Sequence, residues 1–317
     1  MGRFEELASA PLVLTEGAVI ERLRRDARLT LDPWVDHAGF IYDPAGQSAL
    51  GRIESQYLDI GHTSGLPLIV FSPTWHANPD RLAKAGLREK NVNADAVRFL
   101  KALVAMHGAY SAKVLIGGLV GCRGDAYRPE EALATADAQR FHRTQIQELA
   151  HSGVDFLCAA TLPAASEAEG IALAMAATEL PYVLSFVIGA DGCLLDGTPL
   201  HETVAAIDAR VSRAPSFYLI NCVHPSVFRA SMTREMMVGG REMTRVIGLQ
   251  ANTSPRAPHE LDGLPVLDSE DPELLADAMV RLSLDFGTRI LGGCCGTDDR
   301  HIRAIARKGA ARLRARP

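Results

Sequence analysis

Short runs of apolar residues rich in Val, Ile and Leu recur along this chain, and each is closed by Gly, Pro, Asn or Cys before a polar, helix-like stretch begins. They are PLVLTEG at 11–17, PLIVFSP at 67–73, KVLIGGLVG at 113–121, DFLCAATLP at 155–163, PYVLSFVIG at 181–189, SFYLINCV at 216–223, VIGLQAN at 246–252 and RILGGCC at 289–295. A strand that is apolar on both faces has no side to show to water, so it belongs in a parallel sheet covered by helices. Between 129 and 153, a predicted helix puts Leu133, Phe141, Ile146 and Leu149 on one face and stops at Gly153. Eight strand-and-helix units in 317 residues suit an α/β fold of one closed (β/α)8 TIM barrel, a single domain over 1–317. A doubly wound open sheet is the rival, but TEGAVIERL after the first strand offers one glycine and no dinucleotide fingerprint. Residues 24–62 show little periodicity and are expected to be an irregular insertion over one end of the barrel.

The bulk properties exclude several function classes. With 33 basic and 38 acidic residues and a net charge of -5, the chain lacks the basic face of a nucleic-acid binder. The basic tail RKGAARLRARP reads as a solvated helix end. Acidic residues stand where a signal peptide needs a basic start, and no run is long enough to span a membrane, so the expected location is cytoplasmic. In that reducing compartment the six cysteines, 122, 158, 193, 222, 294 and 295, are expected to be thiols or metal ligands.

In a barrel of this kind the strand ends converge on one mouth, where active sites are built. Glu16, Ser72, Cys122, Thr161, Cys222, Asn252, Cys294 and Cys295 all fall at or near such ends. Neighbouring cysteines are poor disulfide partners, because a bridge needs a larger Cα separation than adjacent residues have. Zinc takes thiolates at about 2.3 Å and, when catalytic, keeps three protein ligands and one open position. Cys222, Cys294 and Cys295 supply that number, and Gly292, Gly293 and Gly296 supply the freedom to turn both members of the pair inward. A helix starting near Thr297 or Asp298 would aim its positive end at the sulfurs. Spacing alone leaves metal binding and ordinary burial of three small thiols nearly balanced.

Other residues have plainer readings. Cys158 and Cys193 are expected in the core, whereas Cys122, beside Arg123, could line the pocket without binding metal. His224 is expected to be solvated or hydrogen-bonded rather than a ligand, and the methionines of SMTREMMVGGREM, 231–243, to pack a helix or pocket lid.

The motifs GGCCGTDDRHI and NCVHP resemble those of the zinc-dependent homocysteine S-methyltransferase family, written GGCCGT-x-x-x-HI and N-C-x-x-P. TEGAVIERL, HRTQIQELAHSGVDFL, FVIGADGCLLDGTPL and GLQANTS resemble further family segments in the family's order, so the likeness covers most of the chain. The resemblance implies a (β/α)8 barrel with zinc on Cys222, Cys294 and Cys295, and homocysteine bound as a zinc thiolate in the fourth position. The methyl donor would be a sulfonium or ammonium compound such as S-methylmethionine, S-adenosylmethionine or betaine. Glu16, Gly17, Thr161 and Asn252 fall on the family's substrate-binding segments. Trp75, in FSPTWHAN where the family has T-N-T-(F/Y), offers a cation-π or apolar wall. No residue is assigned as a general base, because a metal-held thiol is already deprotonated.

Two departures stand out. Glu16 replaces the family's Asp, lengthening the arm, and Ala160 stands where E-T-x-P would supply a Glu for the acceptor's ammonium. Losing a charge-assisted bond to a desolvated ammonium costs about 1.5 to 3 kcal/mol. The same chemistry on another small thiol therefore competes with homocysteine as a reading. A non-catalytic zinc-binding regulatory protein is a second alternative. A metal-dependent hydrolase is weaker, because neither H-x-H nor H-E-x-x-H occurs. The expected partners are a small thiol and a methyl donor, with homo-oligomer formation open, and the chain has no room for a cobalamin or folate module.

Overall fold

Residues 2–256 and 268–315 are described by a computed structural model of the chain. All eight apolar runs are strands: β1 Val13–Thr15, β2 Leu68–Phe71, β3 Val114–Val120, β4 Phe156–Leu162, β5 Tyr182–Phe186, β6 Phe217–Val223, β7 Val246–Ala251 and β8 Ile290–Gly293. Each pairs in parallel with its sequence neighbours, and β8 closes on β1, so the sheet is a barrel without edges. Alternation along the strands separates two apolar layers. Val13, Ile69, Leu115, Phe156, Val183, Phe217, Ile247 and Ile290 fill the inside. Leu14, Leu68, Leu157, Leu184, Tyr218, Leu249 and Leu291 face the helices.

The chain enters through α1 (Arg3–Ala8), which seals the floor of the barrel. Phe4 inserts beneath the inner layer, 5.0 Å from the Phe156 ring and 5.9 Å from that of Phe217. After β1 come α2 (Ile20–Arg24) and α3 (Pro44–Ser64), and after β2 come α4 (Pro79–Lys84) and α5 (Val92–Ala105). The rest of the outer ring is α6 (Thr135–His151), α7 (Ala165–Ala176), α8 (Leu200–Arg210), α9 (Pro225–Val238), α10 (Pro272–Asp285) and α11 (Asp299–Arg314). No helix of the described residues is long and apolar enough to cross a membrane.

The expectation of an irregular stretch over 24–62 is corrected at 44–64, which is helical. Asp43 accepts a hydrogen bond from Gly46 N, Pro44 takes the first turn, and Gly65 ends the helix at φ 69°. Ala49, Leu50, Ile53, Tyr57 and Leu58 are the buried face. The predicted helix over 129–153 is shorter than expected. Leu133 precedes α6, Phe141 is only half-buried, and the buried face is Ala138, His142, Gln145, Ile146 and Leu149. Cys158 is inside the barrel, but Cys193 is not core: it sits half-buried in the loop after β5, bridged to Pro199. In the methionine-rich stretch, Met232 and Met243 are buried while Met237 is 83% exposed.

Candidate metal centre

Strand alternation would turn Asn221 inward and Cys222 outward. The structure avoids this with a register shift between Asn221 and Val223 and a left-handed backbone at Cys222, φ 58°. The thiol is thereby swung into the mouth. A second such position, Thr161 at φ 61°, lies beside a register shift in β4. The buried amide of Asn221 holds both: Oδ1 accepts from Thr161 N at 3.0 Å and Ser185 Oγ at 2.7 Å, and Nδ2 donates to Thr161 Oγ1 at 2.7 Å. Strain in a non-glycine backbone persists where such bonds over-determine it. Only the N-C motif hinted at this clasp, since nothing in the spacing says that Asn221 reaches Thr161.

The paired cysteines follow β8 on a turn built by close approach. Cys294 N donates to Ala251 O at 2.7 Å, and Thr253 N to Cys295 O at 3.2 Å. Gly296 has φ 84°, so here glycine's freedom is used directly, whereas Gly293 is required because a Cβ would strike the Thr297 side chain. Thr297 Oγ1 donates to Cys294 O at 2.7 Å and accepts from Ala18 N at 3.0 Å, tying the turn to the segment after β1. As expected, α11 begins at Asp299, with Asp298 and His301 forming a reciprocal cap.

The three sulfurs meet. Cys294 Sγ lies 2.8 Å and Cys295 Sγ 3.5 Å from Cys222 Sγ, and all three lie within 4.8 Å of one another. Hydrogen bonds from Cys294 and Cys295 hold the Cys222 pKa well below that of an ordinary thiol, against the cost of burial. Donating to Cys222 pushes Cys294 and Cys295 up. Tetrahedral bonds of 2.3 Å would separate the sulfurs by about 3.8 Å, so small side-chain adjustments would seat a zinc ion. Among the described residues no carboxylate or imidazole joins the set, which is a soft, zinc-type donor group. His224 instead receives Ser226 N at the start of α9 and faces Glu270 Oε2 at 3.3 Å, as a hydrogen-bonded residue rather than a ligand.

The other sequence-predicted residues ring the same mouth without touching the sulfurs through any described hydrogen bond. Glu16 Oε2 accepts from Phe71 N at 2.8 Å, and Glu16 O accepts from Gly293 N at 3.1 Å. Burial, and then the Glu54 charge, raise the Glu16 pKa well above the carboxylic range. Gly17 leaves room for the Tyr57 hydroxyl, which a Cβ would approach to 2.8 Å. Asn252 sits between the two halves of the cluster, its N bonded to Val223 O and its Oδ1 accepting from Ser254 N. Trp75 stacks on His76 at 4.0 Å and donates Nε1–H to Ala160 O at 3.1 Å. Cys122 is buried in the outer apolar cluster, its thiol 3.6 Å from Gly124 O, and is not one of the three clustered sulfurs. One contact was not legible in the sequence: Tyr127 Oη donates to Cys222 Sγ at 3.0 Å.

Comparison with known proteins accords with this geometry. The family model described as homocysteine S-methyltransferase matches residues 13–308. Betaine–homocysteine S-methyltransferase 1 of Mus musculus is 24% identical over 322 residues, covering 96% of this chain and 74% of the relative. Homocysteine S-methyltransferase of Escherichia coli strain K12 is 27% identical over 250 residues, or 73% and 76% of the two chains. The crystal structure of the metallated Escherichia coli homocysteine methyltransferase MmuM superposes with a TM-score of 0.75 at 20% identity, covering 96% of this chain and 98% of that one. At that identity the superposition speaks for the barrel alone.

Proposed function

The chain belongs to the homocysteine S-methyltransferase family, and on that premise we propose that it moves a methyl group from a sulfonium or ammonium donor to homocysteine. The acceptor would be held at Cys222, Cys294 and Cys295. The observation that carries this reading is the meeting of three thiols, from strand ends about seventy residues apart, within 4.8 Å. Zinc bound there would supply a Lewis acid that keeps an acceptor thiol deprotonated at neutral pH.

The chain's own residues would align and shield the exchange. A lone pair on the acceptor sulfur forms the new S–C bond as the donor's S–C or N–C bond breaks, and the departing sulfide or amine takes that electron pair and leaves uncharged. No acid is required to protonate it. Alignment of donor and acceptor is then the main catalytic contribution, worth several kcal/mol in well-ordered sites. In this reading Trp75, Thr161 and Asn252 would line the donor and acceptor space, and the protein's partners would be these two small molecules in a cytoplasmic setting.

A second acceptor is favoured by one observation. At the mouth end of β4, Ala160 presents a methyl group, and its carbonyl is occupied by the Trp75 indole. Glu16, at the end of β1, has its pKa raised by burial and then by the Glu54 charge, which disfavours the carboxylate form that an ammonium would pair with. A thiol without a free amino group, or with a different tail, suits this wall. The deciding experiment is a panel of thiols assayed with S-methylmethionine and with betaine. Homocysteine should be methylated, and Ala160→Glu should lower its KM by about tenfold, as one charge-assisted bond allows. A preference for another thiol by about a hundredfold or more would overturn homocysteine while keeping the chemistry. Zinc-loaded protein that binds no thiol at all would favour the regulatory alternative.

A further inference from the structure

The loop over 121–134 leaves β3, passes over the mouth and returns at α6, carrying one side chain across the barrel. Tyr127 Oη meets Cys222 Sγ of β6 although β4 and β5 lie between β3 and β6 in the sheet. The tyrosine is 36% exposed as a whole while its hydroxyl is buried against the sulfurs, so something beyond core packing must aim it. One carboxylate does. Glu167 of α7, fully buried, accepts from Arg123 N at 2.7 Å and from Leu133 N at 3.2 Å, pinning both ends of the loop. His142 of α6, also fully buried, braces that carboxylate through Nε2 at 2.8 Å. Inside the loop, Asp125 Oδ1 accepts from Tyr127 N at 2.8 Å and Glu131 Oε2 from Asp125 N at 3.0 Å. On its outer side Arg81 donates to Arg123 O at 3.2 Å and to Trp34 O at 3.0 Å, joining the loop to the segment after β1.

We propose that Tyr127 supports acceptor binding at the sulfur site by holding a hydrogen bond on Cys222, and that Glu167 with His142 is the positioning pair that keeps it there. Three thiolates around a divalent ion carry net negative charge, and an incoming thiolate adds to it. An O–H donor on one of the sulfurs offsets part of that repulsion, so it favours binding of the acceptor as an anion. The inference rests on the metal reading above and deepens it.

The test uses the full chain loaded with cobalt(II) in place of zinc, comparing wild type, Tyr127→Phe and Glu167→Gln. The wild type should show sulfur-to-cobalt charge-transfer absorption that changes on adding homocysteine, and a missing band overturns the metal reading itself. With the band present, Tyr127→Phe should shift it and weaken acceptor binding, titrated through the same band, by about tenfold. Glu167→Gln should move both readouts in the same direction with an unchanged circular-dichroism spectrum. Tyr127→Phe with the wild-type band and acceptor affinity within about twofold would overturn the proposal, whether or not Glu167→Gln folds.

Discussion

Replacing Glu54 with Gln should flatten the dependence of this protein's stability on pH. Glu54 lies on α3 with 1% exposure, and its Oε2 has no hydrogen-bond partner among the described residues. Burial pushes its pKa from 4.5 up to about 8, opposed only in part by the Arg22 charge. Between those two values the folded chain keeps a proton that the unfolded chain has released. Stability therefore falls as pH climbs through the window and levels off above about pH 8. Each unit is worth 1.36 kcal/mol, so the full penalty is roughly 4 to 5 kcal/mol, and about 2 to 3 kcal/mol of it accrues between pH 6 and pH 8. Glu16 shares this environment and is itself raised, so the titration belongs to the pair and Glu16→Gln should remove part of the slope. Urea unfolding of wild type and Glu54→Gln at intervals across that range measures the difference directly. Wild type should lose stability with rising pH more steeply than Glu54→Gln, which keeps only the slope that Glu16 contributes. Parallel curves would refute the argument, because they would show that the buried carboxyl ionises at no cost to the fold.

Other substitutions test the site and its supports. Cys294→Ser should abolish stoichiometric zinc uptake, read by elemental analysis after dialysis, and cut methyl transfer by about a hundredfold or more. Dialysis against a chelator should do the same to wild type, reversibly on adding zinc. Asn221→Ala strips the acceptor from Thr161 N and Ser185 Oγ, and a loss of about 2 to 4 kcal/mol in chemical denaturation is expected. An unchanged unfolding midpoint would mean that the clasp does not hold the two left-handed positions. Phe4→Ala should cost about 3 to 5 kcal/mol by opening a cavity under the inner layer, with zinc content per folded molecule unaltered.

The barrel was legible because parallel strands buried on both faces must be continuously apolar, and that pattern survives in 11–17, 67–73 and the six runs after them. The convergence of Cys222 with Cys294 and Cys295 followed from the closed topology, since all the strand ends share one mouth. The helix at 44–64 was missed although Asp43 and Pro44 signalled its start. Gly46, Gly51 and Gly61 weaken its helical character, and a buried Glu54 occupies the face where an apolar residue is expected. Cys193 was misplaced because composition says how often cysteines are buried, not where a particular loop runs. Tyr127 and Glu167 could not be read at all. Their contacts join residues 95 and 34 to 44 positions apart through loop geometry, which no local periodicity encodes.

The inner layer of side chains, closed beneath by Phe4, leaves no way through the cylinder. Everything that reacts must arrive and depart through a single doorway, so traffic is a queue. On the proposed function, an acceptor thiol seated on the sulfurs would enter ahead of the onium donor, and the spent donor would leave before the methylated product. Steady-state kinetics should accordingly follow an ordered sequence with a ternary complex, and excess donor trapped at the threshold should act as a dead-end inhibitor of the next round.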